Sequence, residues 1–342
     1  MPLSKPRIWY LPTPYHTDTV FTPELYDRLL RNFDVTANPV GRRISPEQIE
    51  ESIAEYDGLI TGWGTSFISD EALRRTDRLK IVAHSAGTVK HLFTAEGVQK
   101  YLIPREICVV SANQAIALNV AEHTVGALIV VPRRWLFHSQ NIREKGIWKD
   151  PASPKSGRYL RGALIGMVSA STVGREVIKL LEPFDVKILL YDPYLSDWEA
   201  GRLGVTKTGL DDVFRQADMV TVHAPSIPET RHMIGSDQLQ LLRDGAVLVN
   251  TSRGSVLDHD ALYEEARTGR IHVQLDVTDP EPLPSDHLLR SLENVIITPH
   301  TSGSGAYGYA RIGTITVLAL EHYFHGKPVN GRVPLDRWAQ LA

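Results

Sequence analysis

The chain has 342 residues, a length typical of about two domains. Its 37 Lys and Arg residues against 40 Asp and Glu residues give a net charge of −3, so charge gives no reason to expect nucleic acid or an anionic membrane as a partner. An apolar fraction of 42% with a charged fraction of 23% is typical of a packed core and excludes wholesale disorder. The single cysteine, Cys108, excludes an intrachain disulfide, and no apolar segment has the length of a membrane span or a secretion signal. These features predict a cytoplasmic protein.

The first part of the chain, to residue 110, alternates strand and helix patterns and predicts an α/β unit. Residues 8–11 (IWYL) form the first strand candidate. Thr22, which precedes a proline, is predicted to cap a helix, and Asp70 to cap a later one. Residues 111–116 (SANQAI) are expected to form a loop before VAEHTVGALIVV, a long apolar helix that predicts burial on several sides.

After a connection rich in Pro, Gly and Ser at residues 149–162, the alternation returns and is stronger. Apolar strand candidates, separated by helical patterns, begin at residues 163, 186, 219, 246, 272 and 294. Apolar runs without polar alternation predict a parallel sheet covered on both faces. A last helix is expected over residues 306–324.

The first strand–helix–strand unit of this half has the layout of a dinucleotide-binding site. A strand over residues 163–168 is followed by a helix that begins near Thr172, and the next strand ends at Asp192. Asp192 lies 23 residues after Ser169, where its carboxylate would accept hydrogen bonds from the adenosine ribose hydroxyls. Because a carboxylate repels a 2′-phosphate, NAD is favoured over NADP.

The turn of this unit departs from the pattern G-x-G-x-x-G. Residues 169–174 read SASTVG, so only the third glycine, Gly174, is present. If either serine needs a positive φ, the cost is about 1–2 kcal/mol. The amides of Thr172 and Val173 can still point at a phosphate, and the Ser171 hydroxyl can donate to it. We predict a modified site that still binds dinucleotide; the alternative is a unit kept only for packing.

A second match to the glycine pattern, GSGAYG at residues 303–308, follows a strand and opens a helix. No strand follows that helix, and the nearest acid at a suitable distance, Glu321, lies inside it. The match is therefore not expected to be a fingerprint, although Gly303 is expected at the floor of the active site.

Four chemically active side chains follow strands of the predicted sheet, at the edge where ligands bind in such folds. They are Arg253, Asp276, Glu281 and His300. Arg can hold a carboxylate through two hydrogen bonds, and His can exchange a proton with an oxygen atom. A nearby Glu can raise the pKa of His and fix its tautomer. Taken singly, each is more often a surface ion pair or a solvated loop residue; together they predict an active site.

The stretches VHAPSIPETRHMIG, GAVLVNTSRGSVLDHDAL, LDVTDPEPLP and NVIITPH resemble the D-isomer-specific 2-hydroxyacid dehydrogenase family, and VAHSAGTVK and VAEHTVG extend the resemblance to nearly the whole chain. It implies an NAD-binding Rossmann-type domain, residues 109–303, inserted into a smaller flavodoxin-like α/β substrate domain made of residues 1–108 and 304–342. It also implies an NAD-dependent enzyme that interconverts a small anionic D-2-hydroxy acid and its 2-keto acid. A catalytically weakened dinucleotide-sensing regulator on the same fold is the alternative that the two serines suggest.

The resemblance implies roles for the catalytic and substrate-binding residues. His300 is the acid/base for the alcohol proton, Glu281 pairs with His300, and Arg253 binds the carboxylate and carbonyl of the keto acid. Amides around Gly87 and Thr88 hold the substrate carboxylate. Formate is disfavoured, because formate enzymes resemble one another in having Gln where this chain has Glu281.

The cofactor-binding positions also follow from the resemblance. Asp276 contacts the nicotinamide carboxamide, and the nicotinamide end is lined by Thr251 and Ser252. The residues near the adenosine and its ribose are His223, Ala224, Pro225 and Thr230. The family also implies a homodimer formed through helices near residues 120–150, where Trp148 is a candidate for contact with a neighbouring subunit's substrate.

Other side chains are left with two interpretations. Lys90 and His84 either bind a polar substrate tail or are solvated. Glu321, His322 and His325 resemble a metal cluster in their spacing, but the two histidines are expected instead to be solvated near the helix end, and no metal site is expected. Cys108 is expected to be an inert core residue.

Overall fold

The computed structural model describes residues 5–38, 41–148 and 158–341. The chain divides into two compact units, one made of Met1–Ala117 with Ser304–Ala342 and the other of Leu118–Gly303. The second unit is therefore inserted between the two segments of the first. The first unit extends past residue 108, the boundary expected from the sequence, because the strand that begins at Cys108 pairs within its sheet. Most of the predicted connection, residues 149–157, lies outside the described residues.

The first unit contains a five-stranded parallel sheet in the order β2-β1-β3-β4-β5. Its strands are β1 (Arg7–Tyr10), β2 (Asp34–Ala37), β3 (Gly58–Thr61), β4 (Ile81–His84) and β5 (Cys108–Ser111). Its helices are α1 (Pro14–Val20), α2 (Pro23–Asn32), α3 (Pro46–Ser52), α4 (Asp70–Arg75), α5 (Ala95–Gly97), the start of α6 (Asn113–Val130) and α13 (Ala306–Phe324). This strand order is that of flavodoxin-like sheets, as expected.

Two helix starts differ from the expectations. Ser69, not Asp70, caps α4, because its hydroxyl accepts from the amide of Ala72 while Asp70 is already helical. The segment expected as a loop over residues 111–116 is helical from Asn113, whose amide is held by the Ser111 hydroxyl at 3.1 Å. The cap at Thr22 is confirmed, since its hydroxyl accepts from the amide of Leu25.

The second unit contains a seven-stranded parallel sheet in the order β12-β11-β10-β9-β6-β7-β8. Its strands are β6 (Leu164–Val168), β7 (Lys187–Tyr191), β8 (Thr206–Lys207), β9 (Met219–Val222), β10 (Val247–Asn250), β11 (His272–Leu275) and β12 (Val295–Ile297). Its helices are the rest of α6, α7 (Trp135–Lys145), α8 (Thr172–Leu181), α9 (Asp197–Arg202), α10 (Leu210–Gln216), α11 (Ser236–Leu241) and α12 (His259–Ala266). This is a doubly wound sheet, which confirms the predicted Rossmann-type class.

The strand order of the second sheet places the candidate site. Successive strands run outward in opposite directions from the neighbours β6 and β9, and ligands of such sheets bind at the carboxyl ends near that switch. Asn250 of β10 stands opposite Val222 of β9 and Leu275 of β11. The residues after these three strands therefore leave the sheet at one level and one edge.

The length and apolar character of each described helix show whether it could span a membrane. None of them is long and apolar enough by itself to cross a membrane. Helices α6 and α7 together, bent by 62° where they meet, pass that test by length and composition only.

Candidate active site

The loop that carries Arg253 is fixed by the last residue of β10. The buried Asn250 side chain accepts from the amide and the hydroxyl of Ser252 and donates to the carbonyl of Arg253. The hydroxyl of Thr251 lies 2.9 Å from that of Thr124 on α6, so Thr251 is buried against the helix. Asn250 and Thr251 thus hold the loop of Arg253 in place.

Gly254 lets this loop touch the loop after β11. A Cβ atom added to Gly254 would overlap the backbone carbonyl of Thr278 and lie 2.5 Å from the amide nitrogen of Asp279. Only glycine fits between the two backbones. The Arg253 loop and the segment that leads to Glu281 are therefore in direct contact.

The Arg253 guanidinium is a half-buried cation without a carboxylate partner. Its Nη1 donates to the carbonyl of Ser252 at 2.7 Å, and no carboxylate of the described residues lies within 4.0 Å. Burial lowers the pKa of Arg253, and the nearby Glu281 carboxylate acts in the opposite direction. A guanidinium stays charged at neutral pH, so this one can receive an anionic ligand.

Asp276 clamps the loop that carries His300. Its buried carboxylate accepts from the hydroxyl of Thr298 at 2.6 Å and from the amides of Thr301 and Ser302 at 2.9 and 2.8 Å. Burial raises the pKa of Asp276, but hydrogen bonds from Ser302, Thr298 and Thr301 outweigh burial and lower it overall. Both carboxylate oxygens are thus used within the protein. The carboxamide contact implied for Asp276 stays a prediction.

His300 and Glu281 form a close pair. Nδ1 of His300 lies 2.6 Å from Oε1 of Glu281, and both side chains are partly exposed. Since a carboxylate can only accept, Nδ1 carries the proton, which leaves Nε2 as the nitrogen that can exchange a proton. His300 has a φ of +52°, a conformation that histidine tolerates better than most residues, and its amide is held by the carbonyls of Asp276 and Thr298.

The turn before α8 shows which serine is strained. Ser169 has a φ of +79°, the left-handed region that glycine favours, whereas Ser171 has a φ of −59° and caps α8 by accepting from the amide of Gly174. Gly174 itself is required, because a Cβ there would lie 2.5 Å from the carbonyl oxygen of Ser169. Only the first of the two missing glycines therefore has a conformational cost.

Asp192 follows β7 and is largely buried. Its Oδ2 accepts from the amide of Ala170 at 2.9 Å and from the hydroxyl of Ser169 at 3.3 Å, and its Oδ1 accepts from the amide of Tyr194. These donors occupy three of about four acceptor positions of a carboxylate. Asp192 therefore stabilises the serine turn and still has room for one donor, such as a ribose hydroxyl.

The residues of the turn fit a dinucleotide. Among the described residues, none accepts from the amides of Thr172 and Val173 at the start of the ten-residue helix α8. Free amides at a helix N-terminus bind phosphate, and Asp192 lies at the end of the adjacent strand. The donor set therefore suits the pyrophosphate and the ribose of NAD.

We expect Ser169→Gly to bind NADH more tightly than the wild type, by about twofold to tenfold. Glycine releases one acceptor position of Asp192 for a ribose hydroxyl, and the relief of a strain of about 1–2 kcal/mol should also raise the free energy of unfolding. Ser171→Gly is the matched control: its φ is ordinary, so it relieves no strain and removes a cap, and NADH affinity should not rise. Fluorescence titration with NADH measures both. Weaker binding by Ser169→Gly would mean that the hydroxyl contributes to the cofactor site.

The residues after β9 form a loop in which the side chains of His223 and Thr230 make hydrogen bonds within the segment from β9 to Thr230. His223 is buried beside the hydroxyl of Thr221, burial lowers the pKa of His223 to about 3, and its Nδ1 has no partner among the described residues. Ala224 is buried and Pro225 half-buried. The Thr230 hydroxyl donates within the loop, to the carbonyl of Pro225 at 2.6 Å. The side chain of Thr230 therefore shapes the loop, and its implied position near the adenosine stays a prediction.

The predicted substrate residues of the first unit lie in the loop after β4. Gly87 accepts through its carbonyl from the hydroxyl of Ser111, and the Thr88 hydroxyl accepts from the amide of Lys90. The Lys90 ammonium lies 5.2 Å from the ring centre of Trp338. His84 is buried, and burial, with smaller effects of neighbouring histidines, lowers its pKa to about 3. Neither Lys90 nor His84 is freely solvated.

The remaining candidates have partners. Glu321 is buried and forms an ion pair with Arg28 and a hydrogen bond with Asn32. His322 and His325 bind the carbonyls of Pro328 and Glu321. Gly303 accepts through its carbonyl from the Asn119 side chain at 3.2 Å. Cys108 is buried in β5, where burial raises the pKa of its thiol.

Four residues that hydrogen-bond to the loops or strand ends of the site are not among those expected from the sequence: Thr124, Asn250, Gln274 and Thr298. Asn250 and Gln274 are polar residues inside otherwise apolar strands, and a buried polar residue needs a specific partner. A polar residue within an apolar strand is therefore a signal by which Asn250 and Gln274 can be found in the sequence. Thr124 gives no such signal, because a threonine in an apolar helix can bond to its own backbone, as Thr124 does with Val120.

The fold and site define a class of protein: a doubly wound dinucleotide-binding unit that has, at its ligand edge, a paired His and Glu and an Arg with no carboxylate partner among the described residues. Residues 125–302, more than half the chain, match the family model described as D-isomer specific 2-hydroxyacid dehydrogenase, NAD binding domain. The chain belongs to this family.

Individual relatives agree with this assignment. The chain is 32% identical over 281 residues to a glyoxylate reductase of Thermofilum pendens, covering 81% of this chain and 80% of that protein. It is 30% identical over 290 residues to a D-3-phosphoglycerate dehydrogenase of Methanocaldococcus jannaschii, covering 84% of this chain. The chain spans about half of that relative, 53%. The crystal structure of the TT0316 protein from Thermus thermophilus is similar with a TM-score of 0.73 and 27% identity, over 96% of this chain and 99% of that chain.

Proposed function

We propose that the protein catalyses the NAD-dependent interconversion of a D-2-hydroxy acid and its 2-keto acid. The observation that carries the proposal is the pair of His300 and Glu281, 2.6 Å apart, beside an arginine with no carboxylate partner among the described residues. A proton must move when a hydroxy acid is oxidised, and an anionic substrate needs a fixed cation. Membership of the family and the cofactor turn before α8 support the choice of NAD.

The chain's own residues perform the proton chemistry and the positioning. Bound NADH supplies the hydride that reaches C2 of the keto acid. In that direction Nε2 of protonated His300 donates its proton to the carbonyl oxygen, and in oxidation neutral His300 takes the proton back. Glu281 holds the imidazole by its Nδ1 hydrogen and stabilises the imidazolium. Arg253 binds the carboxylate and polarises the carbonyl. In the first unit, Gly87 and Thr88 are the proposed substrate contacts.

A substrate screen tests the proposal. Purified protein is mixed with NADH or NADPH and with glyoxylate, hydroxypyruvate, pyruvate or longer 2-keto acids, and the loss of reduced cofactor is followed by its near-ultraviolet absorbance. We expect turnover of at least one keto acid with preference for NADH, a D-configured product, and no reaction of formate with NAD. Tight NADH binding without turnover of any of these acids would instead support a dinucleotide-sensing regulator.

A homodimer formed through residues 120–150 is part of the proposal. Trp135, Leu136 and Ile142 of α7 are 53%, 54% and 47% exposed, and Trp148 is 80% exposed. Apolar side chains this exposed and this close in sequence favour burial by a second copy. Light scattering after size-exclusion chromatography measures the mass; a monomer at micromolar concentration would contradict the dimer.

A further inference from the structure

A chain of hydrogen bonds runs from helix α6 to the loop of His300. Nε2 of His123 lies 3.3 Å from Nε2 of Gln274, whose amide donates to the hydroxyl of Thr298 at 3.1 Å. Thr298 donates in turn to Oδ1 of Asp276 at 2.6 Å. Asp276 holds the amides of Thr301 and Ser302, which follow His300 directly. Two hydrogen bonds thus connect the amide of Gln274 to the carboxylate of Asp276, which holds the loop of His300.

The directions of these bonds are determined by the number of hydrogens available. The hydroxyl of Thr298 has one hydrogen, and the carboxylate of Asp276 is the strongest acceptor beside it. Thr298 must therefore accept from its other neighbour, which requires the NH₂ group of Gln274 on that side. The second hydrogen of this NH₂ group points at His123, whose Nε2 then accepts. Bonds that run in one direction strengthen one another.

Gln274 is an unfavourable residue for packing alone. Its side chain is 3% exposed, and its Oε1 has no partner among the described residues. Its cross-strand neighbours are Val249 and Ile296, both apolar. A buried acceptor without a partner lowers stability, and an apolar side chain of the same size would avoid that cost. A polar residue at such a position points to function instead of stability.

Helix α6 also reaches the second catalytic loop. Thr124, next to His123, shares a hydrogen bond with Thr251 two residues before Arg253. Adjacent residues of one helix thus bond to the loop of the arginine and to the network beneath the histidine.

We propose that Gln274 is a positioning residue, which holds the Thr298 hydroxyl toward Asp276 and so sets the position of His300 relative to Glu281, with His123 of α6 as its anchor. The proposal rests on the proposed function of His300. A displacement of a reacting group by a fraction of an ångström is enough to slow a reaction severalfold, because proton transfer depends steeply on geometry.

The test compares activity with stability. Gln274→Leu has a similar size and no polar atoms; we expect kcat to fall at least about threefold while the unfolding temperature stays equal or rises. Thr298→Val removes the hydroxyl that bonds to Asp276 and should lower kcat about tenfold, and Thr298→Ser should restore it to within about twofold. Gln216→Leu, at an exposed position of α10, is the matched control and should change neither quantity.

Two further measurements separate positioning from a purely structural role. The pH midpoint of kcat should shift in Gln274→Leu and Thr298→Val, and the NADH dissociation constant should stay within about twofold of the wild type. NMR titration of the imidazoles, with the His300 signal assigned from its loss in His300→Asn, should show the same shift without turnover. Lower stability of Gln274→Leu with unchanged kcat and unchanged His300 titration would overturn the proposal. If the wild type reduces no keto acid, the proposed function fails, and the His300 titration still decides the positioning role.

Discussion

Replacement of His300 by asparagine is expected to lower kcat for keto acid reduction by about 10²- to 10⁴-fold, the contribution of a positioned acid/base. Asparagine suits the φ of +52° at this position, so the loop should keep its shape. It has no group that donates a proton to the carbonyl oxygen at neutral pH. Steady-state kinetics measure kcat, and fluorescence titration should show an NADH dissociation constant within about twofold of the wild type.

Glu281→Gln is the matched control for the pair. The amide oxygen still accepts from Nδ1 of His300, but the negative charge that stabilises the imidazolium is lost. The variant should lose part of kcat, because no negative charge then stands beside the imidazolium. Turnover by His300→Asn close to that of the wild type would remove His300 from the mechanism.

Arg253→Gln is expected to lower kcat/KM for the keto acid by about 10²- to 10³-fold. Two charge-assisted hydrogen bonds to the carboxylate are lost, which corresponds to about 3–4 kcal/mol. The KM for the keto acid should rise, while the KM for NADH should change little. In the described structure the guanidinium donates only to the carbonyl of Ser252, so the unfolding temperature should stay near that of the wild type.

Arg253→Lys separates charge from geometry. Lysine keeps the cation but has no planar fork for a carboxylate, so it should recover part of the loss, about tenfold over Arg253→Gln. If Arg253→Gln retained the KM of the wild type for every keto acid that the protein reduces, Arg253 would not be the carboxylate ligand.

Much of the fold could be predicted from the sequence, because the physical signals are local. Apolar runs after residue 163 correctly predict the strands β6, β7, β9, β10, β11 and β12, and the last helix has the expected bounds of Ala306–Phe324. The sequence does not predict the strand β8, since its two residues are too few to show a pattern. The expected cap of α4 is one residue late, because Ser69 and Asp70 are both good capping residues and only the backbone conformation distinguishes them.

The candidate site was less predictable, since its geometry depends on contacts between distant segments. The sequence indicates two serines in place of glycines, but it does not indicate that only Ser169 has a positive φ. His300 and Glu281 are 19 residues apart, and their pairing was implied by resemblance alone. The chain from His123 through Gln274 to Thr298 joins three elements, and no local pattern connects them.

The contact at Gly254 has a consequence for how the site meets its ligand. The backbone of the Arg253 loop rests directly on Thr278, three residues before Glu281, and the two loops follow the paired strands β10 and β11, so the loops are held together without a ligand. The cation for the substrate and the partner of the acid/base are therefore preorganised, and little reorganisation free energy is spent there when a ligand binds. Selection among 2-keto acids would then depend on how well each molecule fits a fixed arrangement of charges, and less on its ability to induce one.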